Sequence, residues 1–175
     1  MLTRQLSIEM EAECISVWTK PWSNRSARVT LLVDFGSRFA VVTDPRSGFW
    51  FLPGGGVEQG ESIEEAAKRE AVEELGLEVN VNRVIATFNV TLISKDTREH
   101  LKIPPFAVVH VTPTGGQLKK RYAPNREIIL VRKGGHNILL QNMKLPVEYG
   151  WMKPYFCISR EVVQELLRQP RQLHQ

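Results

Sequence analysis

A chain of 175 residues, 42% of them hydrophobic and 24% charged, can bury one well-formed core and is too short for two comfortable domains. Its cysteines, Cys14 and Cys157, are too few for a disulfide framework. Nothing resembles a secretory signal or a run of about 18 apolar residues that could span a membrane, so one soluble cytoplasmic domain with no membrane partner is expected. The formal charge of +4 favours anionic partners without choosing among them.

The N-terminal stretch through Trp22 holds a candidate strand at 14–19, with Trp18 and Trp22 placed either to pack in a core, the commoner fate, or to stack on a base. Residues 27–33 and 39–42 are apolar and β-branched, and Asp34-Phe35-Gly36-Ser37 between them reads as a hairpin turn. Trp50-Phe51-Leu52-Pro53 is an apolar strand end with Trp50 as a core residue. Gly54-Gly55-Gly56 then lets the backbone approach a ligand with no side chain in the way. A helix over 63–75 follows, capped by the Ser62/Glu65 box and stopped by Gly76.

Residues 79–93 form one long strand or two short ones, 105–111 another, and 112–124 a loop rich in Gly, Pro and basic residues. Residues 128–131 read as a further strand. The segment 133–154 is longer than a simple connection needs, and reads as an insertion that either closes over substrate or builds a subunit contact, as in a homodimer. Ser159 is the expected cap of a last helix to about Leu167, with Val162, Val163, Leu166 and Leu167 as its apolar face. Strands flanked by two helices predict an α/β fold, an α/β/α sandwich with a mixed β-sheet.

Acid stands where the 63–75 helix should be apolar. At about 100° per residue, Ala66, Ala67, Ala71 and Leu75 share one face; Glu70 and Glu74 fall inside it and Glu73 at its edge. A solvated charged face is the bland reading of an acidic helix, and this phase argues against it. The last turn is also where the helix dipole disfavours negative charge, by about 0.3–1 kcal/mol, and Glu70 and Glu74 repel at i, i+4. A divalent cation removes both penalties, and hard oxygen ligands within one turn suit Mg²⁺ or Mn²⁺. A glycine-rich turn leading into such a helix points to phosphate chemistry, because magnesium is commonly shared between carboxylates and substrate phosphates. His100, His110, His136 and His174 share no ligand spacing, which disfavours a transition-metal site.

The run from Gly55 through Glu61 to Arg69-Glu70-Ala71-Val72-Glu73-Glu74-Leu75-Gly76-Leu77 resembles the signature box of the Nudix hydrolase (MutT-like) family at every fixed position, with Ala71 small where a bulkier aliphatic is usual. The box covers 23 of the 175 residues, and the Trp50 to Gly55 approach resembles the family's lead-in. The resemblance implies a Nudix-type fold and metal-dependent hydrolysis of a nucleoside diphosphate linked to another moiety. It implies Glu70, Glu73 and Glu74 as metal ligands, Glu61 and Arg69 as a structural ion pair, and Gly54 or Gly55 as a carbonyl ligand. The catalytic base is implied to be a box glutamate or a later acid: Glu127 is the first candidate, then Glu99 and Glu148.

The positions that mark ADP-ribose and dinucleoside polyphosphate subfamilies fall near Ile93, Ser94 and Lys95, so neither marker is present. The leading expectation is a nucleoside triphosphate or related nucleotide. The alternatives are a non-catalytic nucleotide-sensing domain and an RNA 5′-end pyrophosphohydrolase. The only local hint of nucleic acid is the basic stretch Lys119-Lys120-Arg121, with Arg126, Arg132 and Lys133 nearby, which reads first as a solvated loop.

Overall fold

The computed structural model describes residues 1–20, 25–135, 140 and 145–168. Strands β1 (Leu2–Met10), β2 (Arg28–Val33), β5 (Gly54–Gly56), β6 (Leu77–Ser94) and β7 (His100–Gly116) form a mixed sheet ordered β1-β6-β7-β2-β5. In it β1 runs parallel to β6 and β7 parallel to β2, while the β6–β7 and β2–β5 pairs are antiparallel. A second, antiparallel sheet is ordered β4 (Trp50–Phe51), β3 (Arg38–Thr43), β9 (Arg126–Arg132), β8 (Arg121–Ala123). Helix α1 (Ala12–Val17) follows β1, α2 (Ile63–Glu70) follows β5, and α3 (Lys153–Arg168) closes the described chain. No helix among the described residues is long and apolar enough to cross a membrane.

All of β2 is buried, as expected of a strand covered on both faces. Val29, Leu31 and Val33 pack toward α2 with Ala66, Ala67, Ala71 and Leu75. Leu32 faces the opposite cluster, where Trp50, Phe106 and Val108 meet Ile158, Val162 and Val163 of α3. The alternation places one helix on each side of the strands and gives the α/β/α arrangement.

Several local expectations need correction. Residues 14–19 are not a strand. The strand is β1, where Leu6, Ile8 and Met10 turn inward with period two and pair in register with β6, and the chain then turns through α1. Trp18 is core at 3% exposure, its Nε1 donating to the Trp151 carbonyl at 2.8 Å; Trp22 lies outside the described residues. Trp50 is core as expected.

The 34–37 turn does not close a hairpin of one sheet. A single Asp34–Phe39 bridge forms, and β2 and β3 then diverge into different sheets because β2 is already paired on both edges. The 112–124 stretch is not all loop: β7 continues to Gly116 against β6, and 121–123 are β8. Past Val111, β7 has left β2 and become an edge, which is where Pro113 is tolerated. Residues 77–94 form one long strand.

Ser159 is not a cap. Helix α3 begins at Lys153, directly after a 3₁₀ turn at Val147–Met152, with Pro154 in its first turn where no amide donor is needed. Ser159 is buried mid-helix, and its Oγ accepts the Leu52 amide at 2.8 Å, tying α3 to the strand end before the glycines. Val162 and Val163 are core; the side chains of Leu166 and Leu167 lie outside the described residues. Ser159→Ala is expected to strand that amide and cost about 1–3 kcal/mol in urea unfolding. A loss below about 0.3 kcal/mol would mean the bond contributes nothing net.

Candidate active site

The helix that carries the acids is fixed at both ends by its own sequence. At the start, Ser62 Oγ accepts the Glu65 amide at 3.1 Å and Glu65 Oε2 accepts the Ser62 amide at 2.8 Å. At the end, α2 widens into a π-turn at Ala71–Leu75, closed by Gly76 at φ +73°. Such π-turns commonly occur at functional sites. Lys119 Nζ donates to the Glu73 carbonyl at 2.6 Å and its amide to the Leu75 carbonyl at 2.9 Å. A cation thus sits on the helix C-terminus and offsets part of the dipole penalty that Glu73 and Glu74 incur.

Arg69 is the hub beneath the glycine loop. Its Nε and Nη2 pair bidentately with Glu61 at 2.9 and 3.0 Å, and Nη2 also donates to the Gly56 carbonyl at 2.8 Å. Nη1 reaches Glu70 at 2.8 Å and Glu73 at 3.1 Å. The Arg69 hydrogen bond, with help from the Glu58 amide, holds the Glu61 carboxyl below its ordinary range. Loop and helix are thereby braced together.

Glu70 is buried at 7% exposure, and its carboxylate occupies the space a side chain on Gly55 would need: a Cβ there would lie 2.1 Å from Oε1. Burial pushes the Glu70 carboxyl up, against the pull of Arg69. Glu74 is also turned inward, accepting the Gly54 amide at 2.9 Å on one oxygen and the Tyr122 hydroxyl on the other. Burial first, and the Glu70 charge further, raise it to about 7.

Glu70, Glu74 and the three glycines line a cleft of about 340 Å³. Arg28, Tyr122, Arg126 and Tyr155 also line it. Arg28 leads the buried strand β2, its Cζ lying 5.7 Å from the Trp18 ring centre and 5.1 Å from that of Tyr155. Arg126 Cζ lies 5.2 Å from the Tyr149 ring and 5.7 Å from that of Phe51. Burial pushes the Tyr122 and Tyr155 phenols up, Tyr155 to about 12, so both stay protonated donors. The cleft therefore brings buried acid and arginine together, which suits a cation and a polyanion side by side.

Glu70 and Glu74 line the cleft, with Gly54, Gly55 and Gly56, and Glu61 pairs with Arg69. Glu73 does not join them: its side chain is 58% exposed and turned onto Arg69. Among the described residues no three acids, histidines or cysteines converge as a metal site. The donors are nevertheless the hard oxygens that Mg²⁺ or Mn²⁺ takes, and the upward shifts at Glu70 and Glu74 are the repulsion and desolvation that a cation relieves.

Glu127 is exposed on β9 opposite Thr43 and Arg121, Glu99 is exposed at the β6–β7 turn, and Glu148 is exposed in the 3₁₀ turn; none lines the cleft. Of the basic stretch, Lys120 and Arg121 are solvated, Lys119 caps the helix and Arg126 enters the cleft. Arg132 and Lys133 line a different hollow, with Lys133 Nζ 2.8 Å from the Asp34 carboxylate. His110 is buried 2.9 Å from Asp34, His100 is exposed, and His136 and His174 lie outside the described residues. Arg28 and Tyr155 were not expected at the site. The signal for Arg28 was a charge opening an otherwise apolar strand.

The sequence matches the family described as NUDIX domain over residues 23–132. No curated protein sequence matches the chain. Among solved structures, a UDP-X diphosphatase shares 19% identity at a TM-score of 0.54, over 91% of this chain and 71% of that one. A MutT protein from Bacillus halodurans shares 22% at 0.50, over 72% and 78%. The E. coli ORF135 protein shares 18% at 0.50, over 96% and 95%. At these identities the likeness is one of fold. With the matched residues running from the N-terminal side of β2 to the end of β9 and enclosing the braced helix and glycine loop, the chain belongs to the Nudix family of pyrophosphohydrolases.

Proposed function

We propose that this chain hydrolyses a pyrophosphate bond of a nucleotide in the presence of Mg²⁺ or Mn²⁺, with a nucleoside triphosphate or related nucleotide as the leading substrate. The observation that carries the reading is the cleft itself, lined by Glu70 and Glu74, the glycine backbone, Arg28 and Arg126. Glu70 and Glu74 would hold the cation from the cleft wall, and Glu73, paired with Arg69, would complete the set from the helix end. The bound cation supplies charge neutralisation at the phosphoryl oxygens and an acidified water.

Glu70 takes over the role of water-positioning base from Glu127, since it faces the cleft and Glu127 does not. Arg28 orients the pyrophosphate, and Gly54 to Gly56 allow it close to the backbone. The described end of the 133–154 segment brings Trp151 and Met152 to the cleft and Tyr149 against Arg126, which supports its reading as a cover over substrate. The free thiols of Cys14 and Cys157 fit a reducing, cytoplasmic setting.

A mass-spectrometric screen of nucleoside di- and triphosphate derivatives, with a 5′-triphosphorylated RNA included, tests the proposal. Phosphate or pyrophosphate is expected to leave a free nucleotide only when magnesium is present. Tight nucleotide binding without cleavage anywhere in the panel would make this a sensing domain instead. Preferential cleavage of the RNA would move the reading to RNA 5′ ends. Magnesium at about 10 to 100 times its dissociation constant should also stabilise the fold by about 1.4–2.7 kcal/mol. An unchanged melting curve at millimolar magnesium would count against a preformed site.

A further inference from the structure

We propose that Arg126 is the specificity-determining residue of the cleft, gripping a third anionic group of the substrate beyond the pyrophosphate held at the acids. The inference rests on the reading of the cleft as a pyrophosphate site and adds the substrate class: a triphosphate, or a diphosphate whose second moiety carries its own phosphate, over a diphosphate joined to a neutral sugar.

Arg126 stands at the start of β9, on the cleft wall beside Tyr122, whose hydroxyl donates to Glu74. An anion anchored near Glu74 therefore has Arg126 as a neighbour. Among the described residues no carboxylate lies within ion-pair distance of the Arg126 guanidinium, whereas Arg69, on the same cleft, is committed to three acids. A guanidinium lacking an acidic partner and held at a polyanion cleft has fork-shaped donors to offer phosphate oxygens.

The hold on Arg126 is built rather than incidental. The Tyr149 ring lies 5.2 Å from its Cζ and the Phe51 ring 5.7 Å. Tyr149 is itself fixed twice: its ring stacks on Phe49 with centroids 4.8 Å apart and planes at 15°, and its hydroxyl donates at 2.8 Å to Oδ2 of buried Asp44. Asp44 is anchored in turn by the Arg46 amide at 2.9 Å. Aromatic surfaces against the cation restrict it sideways and leave its edge donors for a ligand. This favours anion recognition over stacking on a base.

The test compares wild type, Arg126→Met, Arg126→Lys and Tyr149→Phe on a nucleoside triphosphate and on a diphosphate-linked neutral sugar with the same base. Arg126→Met is expected to lower kcat/KM for the triphosphate by about 10- to 100-fold, mostly through KM, and to change the sugar substrate by less than about 3-fold. Arg126→Lys should fall between, having kept charge but lost the fork. Tyr149→Phe, which keeps the ring and loses the Asp44 bond, should show a smaller loss of the same selectivity and covers the case that Arg126→Met folds poorly. Calorimetric binding gives a readout without turnover: inorganic tripolyphosphate should bind Arg126→Met about 10-fold more weakly, with pyrophosphate unchanged. Equal losses on both substrates, or a loss that follows the identity of the base, would overturn the assignment. If wild type cleaves neither nucleotide, the hydrolase reading fails by itself, and the tripolyphosphate comparison still decides the role of Arg126.

Discussion

Glu73→Gln is expected to lower turnover by about 10²- to 10⁴-fold while leaving the fold intact. Glu73 does little for the folded chain. Its side chain is 58% exposed, and among the described residues its carboxylate touches only the Arg69 guanidinium, an exposed i, i+4 pair worth about 0.3–0.5 kcal/mol. Arg69 keeps Glu61, Glu70 and the Gly56 carbonyl when Glu73 is neutralised, so the brace survives. Any large kinetic loss in this variant therefore belongs to chemistry at the cleft.

The same cannot be read from Glu74→Gln. Glu74 accepts from both the Gly54 amide and the Tyr122 hydroxyl, and an amide would set a donor against one of those donors in a buried place. Loss of activity there mixes a broken latch with a lost ligand. Paired measurements of kcat and melting temperature on Glu73→Gln keep the two apart. Near-normal turnover would remove Glu73 from the metal site and leave Glu70 and Glu74 as the acids that matter.

The parts of the fold that were legible in the sequence are those that local chemistry decides. The Ser62/Glu65 box, the Gly76 stop and the 3.6-residue phase of Ala66, Ala67, Ala71 and Leu75 all act within a few residues of themselves, and they set the bounds of the acidic helix. The inward phase of Glu70 and Glu74 was legible for the same reason. Where pairing between distant segments decides, local sequence does not show the outcome. Ser159 has a capping residue's chemistry, yet its hydroxyl serves an amide 107 residues away, and the helix starts earlier because Pro154 suits a first turn. The period-two alternation of β1 lay in view, but its partner is the far edge of a strand more than eighty residues on.

At the cleft, the box residues were legible and the rest of the lining was not. Tyr122, Arg126 and Tyr155 come from β8, β9 and α3, and nothing local marks them as neighbours of Glu74. Glu127 looked the better acid because it precedes an apolar strand. The strand's alternation instead leaves Glu127 exposed while Ile128 is buried. One residue of register separates Arg126, which meets the substrate side, from Glu127, which does not.

The adjacent glycines separate scaffold from chemistry. Gly54 sits at φ +150°, and a Cβ there would meet the Val29 carbonyl oxygen at 2.0 Å, a backbone atom of the buried strand β2 that cannot swing aside. Gly54→Ala is therefore expected to lose about 2–4 kcal/mol of stability, combining backbone strain with a clash at the β2–β5 pairing. For a chain of this size that corresponds to a fall of about 5–15 °C in melting temperature. At Gly55 the obstacle is instead the Glu70 carboxylate, 2.1 Å from the added carbon and the far end of a side chain that can rotate. Gly55→Ala should hold its melting temperature more closely and lose turnover by displacing Glu70 from the cleft and from Arg69. Scanning calorimetry and turnover on the two variants together check the assignment. A Gly54→Ala protein melting within about 2 °C of wild type would mean the loop yields to the new carbon without cost. A Gly55→Ala protein with full activity would mean Glu70 is not needed where it stands.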